Sequence, residues 1–109
     1  AEMANTFKNQ GAALTTGGAV VYTAPGATTA IIHSCYVSNI DGTNSADVDI
    51  KARATSGDTY YHVAKTVPVP ADSTLVLDKP IDLEPTGDIH MTASANSDLE
   101  VVLGILEIT

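Results

Sequence analysis

Residues 46–54 follow a strict period of two, and this pattern constrains the fold more than any other feature of the chain. Small or apolar residues alternate with charged ones, in the order Ala46, Asp47, Val48, Asp49, Ile50, Lys51, Ala52, Arg53 and Ala54. Because successive side chains of an extended chain point to opposite faces, one set meets a core and the other meets water. The segment therefore predicts a half-buried strand of an antiparallel sheet.

Short runs of β-branched and aromatic residues, separated by turn residues, predict more strands and no helix. Pro25-Gly26, Asp41-Gly42 and Ser56-Gly57-Asp58 are typical of tight turns. This spacing favours a sandwich, a jelly roll or a small barrel, and we predict one all-β domain, an antiparallel jelly-roll-like β-sandwich of about eight short strands. The predicted strands are Ala19–Tyr22, Thr29–Asn39, Ala46–Ala54, Thr59–Val67, Thr74–Leu77, Ile89–Ala95 and Leu99–Ile108, with a short one near Phe7–Leu14.

Length and charge limit the function classes. The 109 residues fit one domain, which we place at residues 15–109, preceded by a polar N-terminal arm at 1–14 that orders on a partner. Five Lys and Arg oppose thirteen Asp and Glu, for a formal net charge of -8. Such a surface repels phosphate groups and anionic lipids, so we expect neither nucleic-acid nor membrane binding. The single cysteine excludes an internal disulfide and suggests synthesis in a reducing cytoplasm.

Two predicted strands are apolar on both faces. In the last strand Leu99, Val101 and Leu103 share one face, while Val102, Leu106 and Ile108 share the other. The strand at 29–39 shows the same property. A thin domain has one core, so the second face needs a cover, either another layer or a neighbouring subunit. We predict a homo-oligomer, with a trimer as the expected state, whose interface residues are Ile31, Ile32, Tyr36, Val37, Val102, Leu106 and Ile108.

Residue patterns for catalysis or metal binding are weak. His33, His62 and His90 lie on different predicted strands without the paired spacing of a metal site. Asp47 and Asp49 share a solvated face with basic residues, which does not raise a carboxyl pKa as a glycosidase acid requires. The loop at 41–47 lacks the bidentate glutamate and the helices of an EF-hand. We predict no catalytic residue, no metal site and no cofactor.

Two further residue types have open interpretations. Cys35 stands in an apolar run and is expected to be a buried small hydrophobe. Carbohydrate sites stack sugars on aromatic rings, and the chain has no Trp. A sugar- or ligand-binding β-domain would therefore depend on its tyrosines, with Tyr60 and Tyr61 pointing to opposite faces. The candidates are Tyr22, Tyr36, Tyr60 and Tyr61.

The order of several motifs resembles small virion proteins of tailed bacteriophages. These motifs are VYTAPGATTAIIH at 21–33, VSNIDG at 37–42, VPVPADSTLVL at 67–77, LEPTGDI at 83–89 and TASA at 92–95. The family pattern has an opening YTAPAGTTAIV strand, a PVPAGSTL crossover, a LEAGDxIxVTAS hairpin and a closing LEI strand. The resemblance spans residues 20–109, and the turn at 84–88 is one residue longer here.

The resemblance implies a β-sandwich structural subunit of a phage particle, made in the bacterial host cytoplasm and located in the virion. The first expectation is a capsid decoration, or cement, protein that binds itself and other virion proteins such as the major capsid protein. A neck, tail or fibre-associated subunit is the alternative within the particle. The sugar- or ligand-binding domain is the alternative from another class.

Overall fold

Residues 4–109, the part of the chain that the computed structural model describes, form an all-β sandwich, as predicted. These residues contain nine strands in two antiparallel sheets and no helix that could cross a membrane. The strands are β1 (Asn5–Ala13), β2 (Ala19–Thr23), β3 (Thr29–Asn39), β4 (Ala46–Arg53), β5 (Tyr61–Val69), β6 (Thr74–Leu77), β7 (Ile81–Leu83), β8 (Asp88–Ala93) and β9 (Leu99–Ile108).

The topology is that of a jelly roll. The first sheet has the order β1-β9-β3-β6, with β7 also paired to β3, and the second has the order β2-β8-β4-β5. The first strand therefore pairs with the last, and each successive pair of strands lies closer to the middle of the sequence. The pairs are β1 with β9, β2 with β8, β3 with β6 and β7, and β4 with β5. One long hairpin rolled into two sheets produces this order.

The core lies between the sheets and is built by alternate residues of every long strand. In β4 the period-two pattern places Ala46, Val48 and Ile50 in the core, each at most 2% exposed. Burial of aliphatic side chains stabilises the fold by roughly 1.5–3 kcal/mol for each large one. The largest fully buried side chains are Ile32, Ile50, Leu83, Ile89, Met91, Leu99, Leu103 and Ile105.

At one end of the sandwich, the buried side chain of Asn39 forms hydrogen bonds with three backbone groups. Its side chain donates from Nδ2 to the carbonyls of Asn44 and Val69 and accepts at Oδ1 from the Asp41 amide. Asp41 in turn accepts from Thr43 and Asn44. These bonds hold the loop between β3 and β4, which connects the two sheets, as a self-contained turn.

Most strand predictions are confirmed within two residues, and two expectations need correction. β7 was missed, because its three residues are too short for a recognisable pattern. The predicted N-terminal arm at 1–14 pairs with β9 along Asn5–Ala13, so this segment is the first strand of the sandwich rather than a separate arm. Residues 1–3 of that arm lie outside the described residues.

Candidate contact surface on the first sheet

The outer face of the first sheet carries exposed large apolar side chains from four of its strands. We call this surface the outer face: it comprises the solvent-directed side chains of β1, β9, β3, β6 and β7. Strand register aligns these side chains into rows that run across the sheet. One row contains Phe7, Leu106 and Ile31, and a second contains Gly11, Val102, Tyr36 and Val76.

Several side chains in these two rows are far more exposed than apolar side chains usually are. Phe7 is 73% exposed, and Tyr36, Val76 and Val102 are each between 44% and 50% exposed. A contiguous patch of this kind on a sheet face is characteristic of a protein contact surface, whereas single exposed hydrophobes are common. Ile31, Leu106 and Ile108 are half-buried beside them.

His33 lies between the two rows and is held there by its neighbours. Its ring packs edge-on against Phe7, with 5.9 Å between the ring centroids. The imidazole ring can lie over β9 because residue 104 is glycine. A Cβ atom at position 104 would lie 2.6 Å from His33 Cε1 and would also collide with Ser34 Oγ. The register between β3 and β9 shifts between Ile32 and Ser34, which marks a bulge at this point.

The bulge corrects two of the predicted interface residues. Strict alternation along 29–39 puts Ile32 and Val37 on opposite faces, but one extra residue reverses the parity between them. Ile32 is 1% exposed and Val37 is 0% exposed, so both belong to the protein's own core and not to an outward surface. Ile31, Tyr36, Val102, Leu106 and Ile108 do face outward, and their role as an interface stays a prediction.

A compact polar cluster occupies the outer side of the second sheet. Asp88, only 2% exposed, accepts at Oδ2 from Arg53 Nε at 2.9 Å and at Oδ1 from the Tyr60 hydroxyl at 2.5 Å. The Arg53 guanidinium also lies 4.6 Å from the centre of the Tyr60 ring. Burial, followed by its hydrogen bond to Asp88, raises the pKa of Tyr60, and the separate hydrogen bond from Arg53 to Asp88 raises the pKa of Arg53. Both oxygens of the buried Asp88 carboxylate accept a hydrogen bond, as expected of a buried polar group that stabilises the fold.

His90 lies next to this cluster and is partly enclosed. Its Nδ1 is buried without a hydrogen-bond partner, and its ring contacts that of Tyr60 at 5.7 Å between centroids. A Cβ on Gly18 would approach within 2.7 Å of the imidazole, so the loop before β2 closes over it. Burial, and then the nearby Lys51 charge, lowers the pKa of His90.

A wide cleft opens between β7 and the β4–β5 hairpin. Its volume is about 510 Å³. The lining includes Tyr61, which is 74% exposed, and four charged side chains. An exposed aromatic ring beside hydrogen-bonding groups is the arrangement expected of a sugar or small-ligand site. The charged residues are Arg53, Asp58, Asp82 and Glu84.

The other candidate residues are placed as follows. Among residues 4–109 no group of three or more His, Cys, Asp or Glu side chains is arranged to hold a metal ion. Cys35 is 2% exposed, as predicted, and burial raises the pKa of its thiol to about 11. Tyr22 is buried and donates its hydroxyl to Glu107, so it offers no stacking surface. Tyr60 lies half-buried over basic side chains rather than in the core.

Two members of the outer face were not identified from the sequence. Phe7 stands alone in a polar segment, and Val76 lies in a strand of four residues, so neither belongs to an apolar pattern of its own. The one sequence feature that could have pointed to this surface was Phe7 itself, the single phenylalanine of the chain. Their alignment with Leu106 and Tyr36 depends on strand pairing across the sheet.

The fold and this surface define a jelly-roll β-sandwich with an exposed apolar sheet face. Comparisons with protein-family models, with curated proteins and with solved structures found no match to this chain.

Proposed function

We propose that the chain is a non-enzymatic structural subunit of a tailed-bacteriophage particle that acts through self-association and packing against other virion proteins. The observation that carries this proposal is the outer face, where exposed Phe7, Tyr36, Val76 and Val102 form two aligned rows. The motif order that resembles small phage virion proteins supplies the particle as the setting. The major capsid protein is the expected partner within it.

A capsid decoration, or cement, role suits this surface best. Such a subunit reinforces a shell by covering apolar area at contacts, worth roughly 25 cal/mol per Å² removed from water. It needs a rigid domain with a complementary face and no reacting groups. The acidic side chains, which give the net charge of -8, would then remain on the solvated surfaces.

The copy number per particle tests the proposal. Quantitative mass spectrometry of purified particles of the phage whose genome encodes this chain should find hundreds of copies for a decoration protein. About a dozen copies or fewer would instead favour the neck, tail or fibre alternative. Absence of the chain from the particles would contradict both.

A pair of matched variants connects the role to the outer face. Val102→Lys places a charge in the centre of the second row and should abolish attachment to particles that lack the protein. Val63→Lys is the control, because Val63 is similarly exposed, at 44%, but lies on β5 of the other sheet. Equal attachment of the two variants would contradict a role for the outer face.

A second candidate function is recognition of a sugar or small polar ligand in the cleft. The observation that favours it is the exposed Tyr61 ring beside Asp58, Asp82 and Glu84. A glycan array probed with the purified protein tests this candidate. Binding that is lost in Tyr61→Ala and kept in Tyr36→Ala would support it, and an array without signal would contradict it.

A further inference from the structure

The four sheet edges of the sandwich are protected unequally. β5 contains Pro68 and a left-handed Thr66 with φ 53°, and its register shifts twice against β4. β2 has five residues and a register shift, and the remaining edge is divided between the short strands β6 and β7. β1 has nine residues, no proline and an unbroken register with β9. Natural proteins usually blunt such an edge, because it can pair with another strand.

The hydrogen bonds of β1 show which of its groups face the open side. Ala4 and Thr109 exchange both backbone bonds, and the Leu14 amide donates to Leu99. In an antiparallel ladder such pairs recur at every second residue, so the even-numbered residues of β1 bond to β9. The odd-numbered residues direct their N–H and C=O groups away, to the side where no described strand lies. They are Asn5, Phe7, Asn9, Gly11 and Ala13.

The charge distribution favours a second copy of the chain as the strand that pairs there. Two molecules of net charge -8 repel each other unless they meet where charge is low. Between Ala4 and Ile40 the only Lys, Arg, Asp or Glu is Lys8. Its ammonium group lies 3.4 Å from Glu107 Oε2, so its charge is compensated within the same molecule. β1 itself therefore adds no uncompensated charge to this edge of an acidic protein.

We propose that two copies of this chain associate through an antiparallel β1–β1 pair with a twofold axis at Asn9. The odd-numbered residues are symmetric about Asn9, so this register pairs all five outward-directed residues of each strand. Asn9 then faces Asn9 of the second copy, and Phe7 faces Gly11 of the second copy. An aromatic side chain opposite a glycine covers the exposed backbone there, a favourable cross-strand combination.

The same register connects the apolar rows of the two molecules. Phe7 continues the row of Leu106 and Ile31, while Gly11 continues the row of Val102 and Tyr36. Placing Phe7 opposite Gly11 of the second copy joins the first row of one molecule to the second row of the other. The Phe7 ring, 73% exposed in the single chain, becomes the centre of a continuous apolar row across both sheets.

This inference goes beyond the proposed function, because it concerns the purified chain and holds whether or not the protein belongs to a virion. Absence of the chain from particles would leave it unaffected. A twofold edge contact gives a dimer, an isologous and closed assembly. The trimer expected from the sequence would require a different contact.

Charge variants at Asn9 test the twofold axis. The wild-type protein should be a dimer in sedimentation equilibrium between about 1 and 100 μM. Asn9→Glu and Asn9→Lys each place two like charges opposite one another and should raise the dimer dissociation constant by at least about fivefold. An equimolar mixture of the two variants should regain wild-type affinity as a heterodimer. His62→Glu, on the exposed β5 edge, is the matched control and should remain dimeric.

Disulfide formation tests the register independently. Facing residues of an antiparallel pair have Cα atoms at a distance that a disulfide can bridge. Asn9→Cys should therefore give a covalent dimer on oxidation, whereas Gln10→Cys should not, because in this register position 10 faces Lys8 of the second copy rather than its own equivalent. Cys35 is buried and does not compete. A wild-type monomer or trimer, an unaffected Asn9→Glu dimer, or equal cross-linking of the two cysteine variants would overturn the proposal.

Discussion

His33 lies across Gly104, and the space for its imidazole exists because residue 104 has no Cβ. The pair joins the bulge in β3 to the outer face, since His33 also packs against Phe7. The missing methyl group thus leaves room for the backbone irregularity that reverses the parity of β3, and the His33 ring that lies there contacts Phe7 at the open edge of β1.

Gly104→Ala should displace His33 and Ser34, and we expect a loss of about 1 kcal/mol in the free energy of unfolding. Urea titration measures the loss, and the NMR signals of the His33 ring should shift as its contact with Phe7 is lost. Gly26→Ala is the control, because a Cβ there meets nothing within 4 Å. Equal stability of the two variants would contradict crowding at position 104.

Asn39→Ala should destabilise the protein by about 2–3 kcal/mol, because it leaves buried backbone groups of the β3–β4 loop without partners. Asn96→Ala is a suitable comparison. Its Oδ1 also accepts a backbone bond, from the Thr16 amide, but in an exposed position, so we expect a loss of about 0.5 kcal/mol. Thermal and urea unfolding of both variants should show this difference, and similar losses would refute the role assigned to burial.

Tyr60→Phe should cost about 1 kcal/mol, because it removes a hydrogen bond to the buried carboxylate of Asp88 and leaves Arg53 as its partner. Tyr61→Phe, one residue further on, should change the free energy of unfolding by less than about 0.5 kcal/mol, since Tyr61 is largely exposed. The comparison isolates the hydroxyl group from the ring. A larger effect at Tyr61 would contradict the arrangement of the polar cluster.

His90 should make the fold sensitive to acid. Burial lowers its pKa in the folded state, so the folded protein takes up the proton less readily than the unfolded chain. This contribution to stability is fully present above the ordinary histidine pKa of about 6.5 and declines as the pH falls below that value. The charge of Lys51 reinforces the effect of burial, whereas the Asp88 carboxylate opposes it without reversing the direction of the shift.

The measurement is the melting temperature of the wild type and of His90→Gln between pH 7.5 and 5. Over this pH range the melting temperature of the wild type should fall by more than that of His90→Gln. His62→Gln changes an exposed histidine on β5 and should follow the wild type. Parallel curves for the wild type and His90→Gln would show that His90 does not carry this sensitivity.

Local pattern was enough to predict the fold class and most of the strands. The alternation at 46–54 identified the inner face of β4, because in a strand with one face on the core and the other in water the residue types alone show which side chains are buried. Leu99, Val101 and Leu103 of β9 were assigned to one face in the same way, and all three are buried.

Parity and pairing could be decided only by the tertiary structure. The bulge at His33 depends on Gly104, about seventy residues away in the sequence. It places Ile32 and Val37 on the same, core-facing side of β3, whereas strict alternation would place them on opposite sides. The rows of the outer face and the open edge of β1 likewise exist only once β9 lies between β1 and β3. The sequence by itself determined which segments are extended and which residues are apolar, because those are local properties; hydrogen bonding between distant strands decided which side each residue faces.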